Sequence, residues 1–194
     1  MRSPVADLVG DAAAALDDAR VDWYLFGAQA AILHGVARLT ADVDITVRLP
    51  ATISSAALAH ALERHGFALR ETDPTFVART SVLPFMHLAT SLPLDVVLAG
   101  PGLEEQFFAR TEIRDIEGVR ARVASAEDLI VMKTLAARSK DAEDVAAILA
   151  SYGTRLDVGY IRETLRLLED ALGQSDLIPA FERALESSQP GHGR

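Results

Sequence analysis

The segment VDITVRL at residues 43–49 alternates Val43, Ile45, Val47 and Leu49 with Asp44, Thr46 and Arg48. Successive side chains of a strand point to opposite faces, so the pattern predicts a strand anchored by an apolar face, with its acidic face left open. Asp42, two residues before Asp44, falls on that same face. Upstream, the aromatic and apolar run VDWYLF at 21–26 stops at Gly27 as a buried strand would, and AQAAILHG at 28–35 suits a short helix ended by Gly35.

The rest of the first half alternates in the same way. Residues 5–20 carry apolar positions at helical spacing, and 53–65 read as a helix ended by Gly66. Two or three strands are expected within 67–90, another in LPLDVVLAG at 92–100, and a hairpin in 110–116 and 119–124 around Glu117-Gly118. From Ser125 the texture turns helical. Ser125 and Asp128 have the spacing of a capping box at the head of SAEDLIVMKTLAARSK, and helices are expected in DAEDVAAILASYG, near 157–171 and near 176–187. The division is an α/β core at 1–124, a helical subdomain at 125–188 and a flexible tail at 189–194.

With 194 residues and 49% hydrophobic content, the chain can build one core and a helical appendage. No apolar run approaches the roughly 18 residues of a membrane span, the N-terminus lacks the pattern of a secretory signal, and cysteine is absent. A soluble, cytoplasmic protein with no membrane partner is expected. The net charge of −9 argues against a broad nucleic-acid-coating surface and leaves room for a local grip on one RNA end. Of the 19 basic residues only Lys133 and Lys140 are lysines.

Two carboxylates on one strand face repel unless a proton or cation sits between them. Magnesium suits such a pair, because it takes one or two carboxylates together with substrate phosphates and waters. Gly27, at the junction of a strand and a helix, lets backbone N–H groups approach an anion closely. A phosphate-binding turn beside a magnesium-binding pair is what a nucleoside triphosphate requires.

The glycine pair position Gly27-Ala28, followed after thirteen residues by Asp42-Val43-Asp44, resembles the signature of the polymerase-β-like nucleotidyltransferase superfamily. The stretches FGAQAAILHGVARLTADVDITV and EDLIVMKTLAARSKDAEDVAAI are similar in particular to the AbiEii/MenT-type toxin nucleotidyltransferases. Ala28 departs from the pattern, which has Gly or Ser there: its N–H remains but a hydroxyl is lost. The resemblance implies an α/β (α+β) fold, with a mixed sheet and a C-terminal helical subdomain. It also implies a toxin that moves NMP from an NTP to an RNA acceptor, the tRNA 3′ end in the first instance, with Mg2+ or Mn2+ and under the control of a partner antitoxin. The rival readings are transfer to a protein or to a small molecule such as an antibiotic, and a catalytically inactive regulatory module.

The resemblance further asks for a third carboxylate on a neighbouring strand, and Asp95, alone in an apolar strand, is the candidate, as metal ligand or as base. Asp42, Asp44 and Asp95 are therefore the candidate catalytic and metal residues. Gly27, Ala28, Arg38, Thr40, Lys133, Lys140 and Asp141 are the candidates for nucleotide binding. By resemblance Lys133 would neutralise the triphosphate, and it would share a helix face with Lys140 if one helix runs through both; a new helix from Ser139 is the alternative. Lys140, Asp141 and Asp144 could equally be capping and surface charges. Arg38 reads either as a phosphate clamp or as a solvated loop arginine. Thr40 reads as a strand-starting residue or as a site whose modification would block the carboxylate pair. His34 reads as a helix-end residue rather than a base, and Arg120, Arg122 and Arg114 on the hairpin as a solvated face.

Overall fold

The structure is a computed structural model that describes residues 2–188; the tail expected at 189–194 lies outside them. The chain divides into two compact units. One comprises residues up to 29 together with 39–124, and the other 30–38 together with the residues from 125 onward.

The first unit begins with α1 (Pro4–Asp18), capped by the Ser3 hydroxyl, which accepts from the Ala6 amide at 3.3 Å. β1 (Asp22–Phe26) leads directly into α2 (Gly27–Leu33), and β2 (Val43–Arg48) returns antiparallel to β1. α3 (Ser55–Arg64), β3 (Phe67–Leu69), α4 (Pro74–Thr80), β4 (Val82–His87), β5 (Leu92–Leu98), α5 (Leu103–Arg110), β6 (Glu112–Ile116) and β7 (Val119–Val123) follow. The described strands form one seven-stranded sheet in the order β3-β4-β5-β2-β1-β7-β6. It is mixed: β2 pairs β5 and β1 pairs β7 in parallel, and the other neighbours are antiparallel. The β6–β7 hairpin turns through Glu117 and Gly118, both at positive φ, as a two-residue turn of matching twist requires.

One face of the sheet is apolar along its length, with Val43, Ile45, Val47, Leu94, Val96, Leu25 and Phe85 all buried. The other face is not open throughout, contrary to the alternating pattern. At the Arg48 end it is roofed by α5, whose Phe108 ring meets Tyr24 edge-on at 4.8 Å and carries the Arg48 guanidinium 4.7 Å above it. Thr46, paired with Tyr24 in register, is consequently 2% exposed. α5 follows Gly102 at its N-cap without a side-chain cap, in a stretch to which the sequence analysis assigns no element. The two or three strands expected in 67–90 are two, β3 and β4, with an additional helix, α4, between them. Asp73 before Pro74 was the readable start signal, and its carboxylate accepts from the Thr75 amide at 2.9 Å.

The second unit is helical. α6 (Ala126–Ala136) buries Leu129, Ile130 and Val131 in succession, so it is surrounded rather than surface-lying. It ends at Ala137, whose left-handed φ of 52° lets its N–H reach the Lys133 carbonyl at 3.2 Å. α7 (Ser139–Tyr152) is therefore a separate helix, and Lys133 and Lys140 do not share one helical face. α8 (Val158–Leu172) and α9 (Leu177–Ser188) complete it, burying Ile161, Leu165, Leu177 and Phe181. The segment 30–38 lies tightly on α7. A β-carbon on Gly35 would come within 2.8 Å of the Ser151 hydroxyl, and the His34 ring nitrogen Nδ1 is 2.6 Å from the Tyr152 hydroxyl.

Ser125 starts α6 from a buried position, its hydroxyl accepting from the Asp128 amide at 3.1 Å. Ser125→Ala is expected to cost about 1 kcal/mol and to lower Tm by roughly 2–4 °C in a thermal melt. A melt shifted by less than a degree would show that this cap contributes nothing.

Candidate active site

Register builds the site in the first unit. Asp44 on β2 stands directly opposite Asp95 on β5, with Phe26 on its other side and Pro84 beyond Asp95. Residues paired in adjacent strands share a face, so the two carboxylates emerge together on the face that α5 leaves uncovered. Asp42, exposed, lies one residue before β2 begins.

Gly27 fixes where Asp44 can be. Its φ is +67°, and a β-carbon there would fall 2.0 Å from Oδ2 of Asp44, so a side chain is excluded by conformation and by space. Ala28 follows it, partly exposed. The first turn of α2 is tied to the approach to β2 by a residue the sequence did not single out. Buried Gln29 donates from Nε2 to the Thr40 carbonyl at 3.1 Å, and the Thr40 hydroxyl accepts from the Asp42 amide at 3.3 Å. A glutamine among alanines in a short amphipathic helix was the available signal.

Arg70, just past β3, was also missed. It donates from Nε to the Phe85 carbonyl at 3.0 Å and from Nη2 to the Asp95 carboxylate. Partial burial lifts the Asp95 carboxyl above the usual carboxylate range; the Arg70 charge opposes the rise, and nearby Asp42 adds to it. An acid in an apolar strand calls for a cationic partner, yet only the strand order reveals that Arg70 is that partner.

Among the described residues no group of three or more His, Asp or Glu side chains stands close enough to hold a metal ion. Asp42 and Asp44 fit a looser arrangement, a two-carboxylate face whose remaining ligands are phosphate oxygens and water, as magnesium accepts. With Arg70 on Asp95, the third carboxylate already has a counter-charge.

In the second unit, Lys133 is 5% exposed, and its Nζ donates to Oδ2 of Asp144 at 2.6 Å and to Oδ1 of Asp141 at 3.3 Å. Arg138 donates from Nε to Oδ2 of Asp141 at 2.6 Å, and Arg38 from Nη1 to Oδ2 of Asp144 at 2.7 Å. Burial would raise the Asp141 carboxyl, but the Arg138 hydrogen bond and the Lys133 charge outweigh it and hold the group below its ordinary value. Lys140 is exposed. Buried His34 is paired with Tyr152, as a helix-end residue. Arg120 and Arg122 are exposed on β7, and Arg114, opposite Ala121, faces the other way and bonds Glu112 at 2.6 Å. No described helix is long and apolar enough to cross a membrane.

The fold is shared with solved nucleotidyltransferases. A solution structure of the antibiotic-resistance factor ANT(2″)-Ia superimposes with a TM-score of 0.60 at 19% identity, covering 89% of this chain and 97% of that one. A crystal structure of ANT(2″)-Ia in complex with adenylyl-2″-tobramycin gives 0.59 at 20% identity, covering 84% and 98%. An antigenic nucleotidyltransferase-like protein from Paracoccidioides brasiliensis gives 0.55 at 17% identity, covering 94% of each chain. No curated protein matches the sequence. Residues 7–166 match the family described as "Nucleotidyltransferase of unknown function (DUF6036)", so the chain belongs to that family of nucleotidyltransferases.

Proposed function

We propose that the chain transfers a nucleoside monophosphate from an NTP to a hydroxyl acceptor, with residues 1–124 as the catalytic core and 125–188 as the helical subdomain. The observation that carries this is the register of Asp44 with Asp95 over a glycine that nothing else could replace. Asp42 and Asp44 would hold a magnesium or manganese ion, which would supply charge neutralisation to the triphosphate. The amides of Gly27 and Ala28, and the loop carrying Thr40, receive phosphate oxygens. The acceptor oxygen bonds to the α-phosphorus as the bond to the departing pyrophosphate breaks, and the hydroxyl proton passes to Asp95. An elevated carboxyl that Arg70 keeps oriented suits a base better than a metal ligand.

For the acceptor, the sequence likeness to AbiEii/MenT-type toxins supports an RNA 3′ end, tRNA first, with a cognate antitoxin as partner. A second reading is supported by the likeness to ANT(2″)-Ia, which has been solved with adenylyl-2″-tobramycin, and by the net charge of −9: a small, cationic antibiotic. Purified protein offered each labelled NTP with total tRNA, lysate protein and aminoglycosides separates these. Label on tRNA selects the first reading and label on the antibiotic the second. Label on none, with no NTP bound, would leave a regulatory module.

Asp42→Asn or Asp44→Asn is expected to abolish transfer while Tm holds or rises, because neutralising one of two like charges relieves repulsion. A variant with near-normal rates in magnesium would refute the carboxylate pair. Gly27→Ala is expected to lose activity about 100-fold or more, because its methyl displaces the Asp44 carboxylate; misplacement by an ångström costs that much. Near-normal turnover would show that Asp44 acts elsewhere.

Arg70 is the influence that lowers the Asp95 carboxyl, so removing it raises that group further. Arg70→Met should therefore move the acid limb of the kcat/KM profile to higher pH, since the base must be ionised. An unmoved limb would remove Asp95 as the base.

A further inference from the structure

The helices of the second unit leave a chamber among themselves. α9 packs on both α6 and α7, and the three enclose a cavity of about 310 Å³ whose lining residues all belong to that unit. The volume is at the lower end for sites that hold a small molecule. Asp176, immediately before α9, and Ala180, Arg183 and Ala184 on it line the cavity at the spacing of one helix face. Ala142 and Val145 line it from α7, so its walls are made of small apolar side chains.

Three polar features meet in that apolar chamber. Thr134 on α6 lines it at 8% exposure, and its hydroxyl oxygen is buried with no hydrogen-bond partner among the described residues. Such a hydroxyl has given up its bonds to water without replacement, a cost that a ligand offering a partner would remove. α7 starts at Ser139 without a side-chain cap, and Ser139 and Ala142 of its first turn both line the cavity, so the positive end of that helix borders it. Arg183 is exposed and makes no ion pair or hydrogen bond among the described residues. The other charged groups of the lining are accounted for. Lys133 bonds Asp141 and Asp144, and Arg138 bonds Asp141. Asp176 stands just ahead of α9, where the helix's own N-terminus favours a carboxylate.

We propose that this cavity binds a small monocarboxylate. The carboxylate meets the Arg183 guanidinium and the first amides of α7, the Thr134 hydroxyl gains an acceptor, and the apolar chain of the ligand lies along the alanine walls. A guanidinium holds a carboxylate through two parallel hydrogen bonds. A phosphate monoester suits the chamber less well, because it brings roughly 1.5 to 2 negative charges to a lining that includes Asp176. A cation is disfavoured by Arg183 and by the start of α7. The site lies wholly in the helical unit and does not depend on the nucleotidyl-transfer reading.

The test is calorimetric titration of the full chain with butyrate, hexanoate and octanoate, beside hexyl phosphate, hexylamine and hexanol, with Tm recorded for each variant. Wild type is expected to bind hexanoate saturably with a Kd on the order of 1 mM, and to show no measurable binding of hexylamine or hexanol. Arg183→Gln should weaken hexanoate about 10-fold or more while Tm stays within about 2 °C, since the side chain is exposed. Arg183→Lys should recover part of that loss. Thr134→Val should also weaken hexanoate, yet leave the ligand-free Tm unchanged or higher, because it removes a buried hydroxyl that has no partner. Ala180→Leu, which fills the chamber from the α9 wall, should abolish binding. A wild type that shows no saturation by about 10 mM would overturn the proposal, as would equal hexanoate affinity in wild type and Arg183→Gln. Hexanol bound as well as hexanoate would reduce the cavity to an apolar hole. Tighter binding of hexyl phosphate would overturn the choice of carboxylate, and tighter binding of hexylamine would give the cavity to Asp176 and a cation instead.

Discussion

The carboxylate of Asp44 lies against the Cα of Gly27, at a separation a β-carbon would cut to 2.0 Å. Much of the first unit is arranged to permit that approach. β1 has to end at Phe26, beside Asp44, so that the chain can turn into α2 immediately beneath the carboxylate. Gly27 has to hold φ at +67°, which only glycine does without strain. Gln29, the third residue of α2, then secures the loop that returns as β2 by donating to the Thr40 carbonyl. Once β2 is placed, its parallel register with β5 delivers Asp95, and β4 with the segment after β3 delivers Arg70. A site read as three acids is better described as a backbone crossing that forces them together.

The parts of this arrangement visible in the sequence were those with local causes. The alternation of β2, the glycine stops after β1 and α2, the positive-φ pair in the β6–β7 hairpin and the Ser125 cap each arise from residues a few positions apart. α5 escaped because it is short and its start at Gly102 has no side-chain cap; its residues favour a helix, with Glu104 and Glu105 in the first turn and Arg110 in the last, and Phe108 packs it on Tyr24 and Arg48. Thr46 was assigned to an open face for the same reason, since only the presence of α5 closes it. Arg70 and Gln29 were missed because their partners are distant in sequence. Lys133 was visible as an unusual lysine, but whether its ammonium faces phosphate or aspartate depends on where α6 stops, and the left-handed Ala137 decides that.

The two units handle charge in opposite ways. In the first, three acids gather with Arg70 as the cation bonded to Asp95, and partial burial with a like-charged neighbour lifts that carboxyl out of its ordinary range. In the second, acids and bases interleave so closely that Asp141 stays ionised despite being almost wholly enclosed. Breaking one member of such an enclosed set costs roughly 3–5 kcal/mol, because the survivors cannot regain solvent.

The helical unit is not one stretch of chain: residues 30–38 belong to it, and 39–124 are spent elsewhere before it resumes. During synthesis at about 5–20 residues per second, residues 30–38 must wait on the order of ten seconds for α7 to emerge. Through that interval His34 lacks the Tyr152 hydroxyl, and Gly35 the Ser151 side chain, that they meet in the finished protein. Closure over so long a loop raises contact order and slows the final step of assembly. The nascent chain thus carries this segment, directly ahead of its acidic strand, without its α7 partners until that helix arrives.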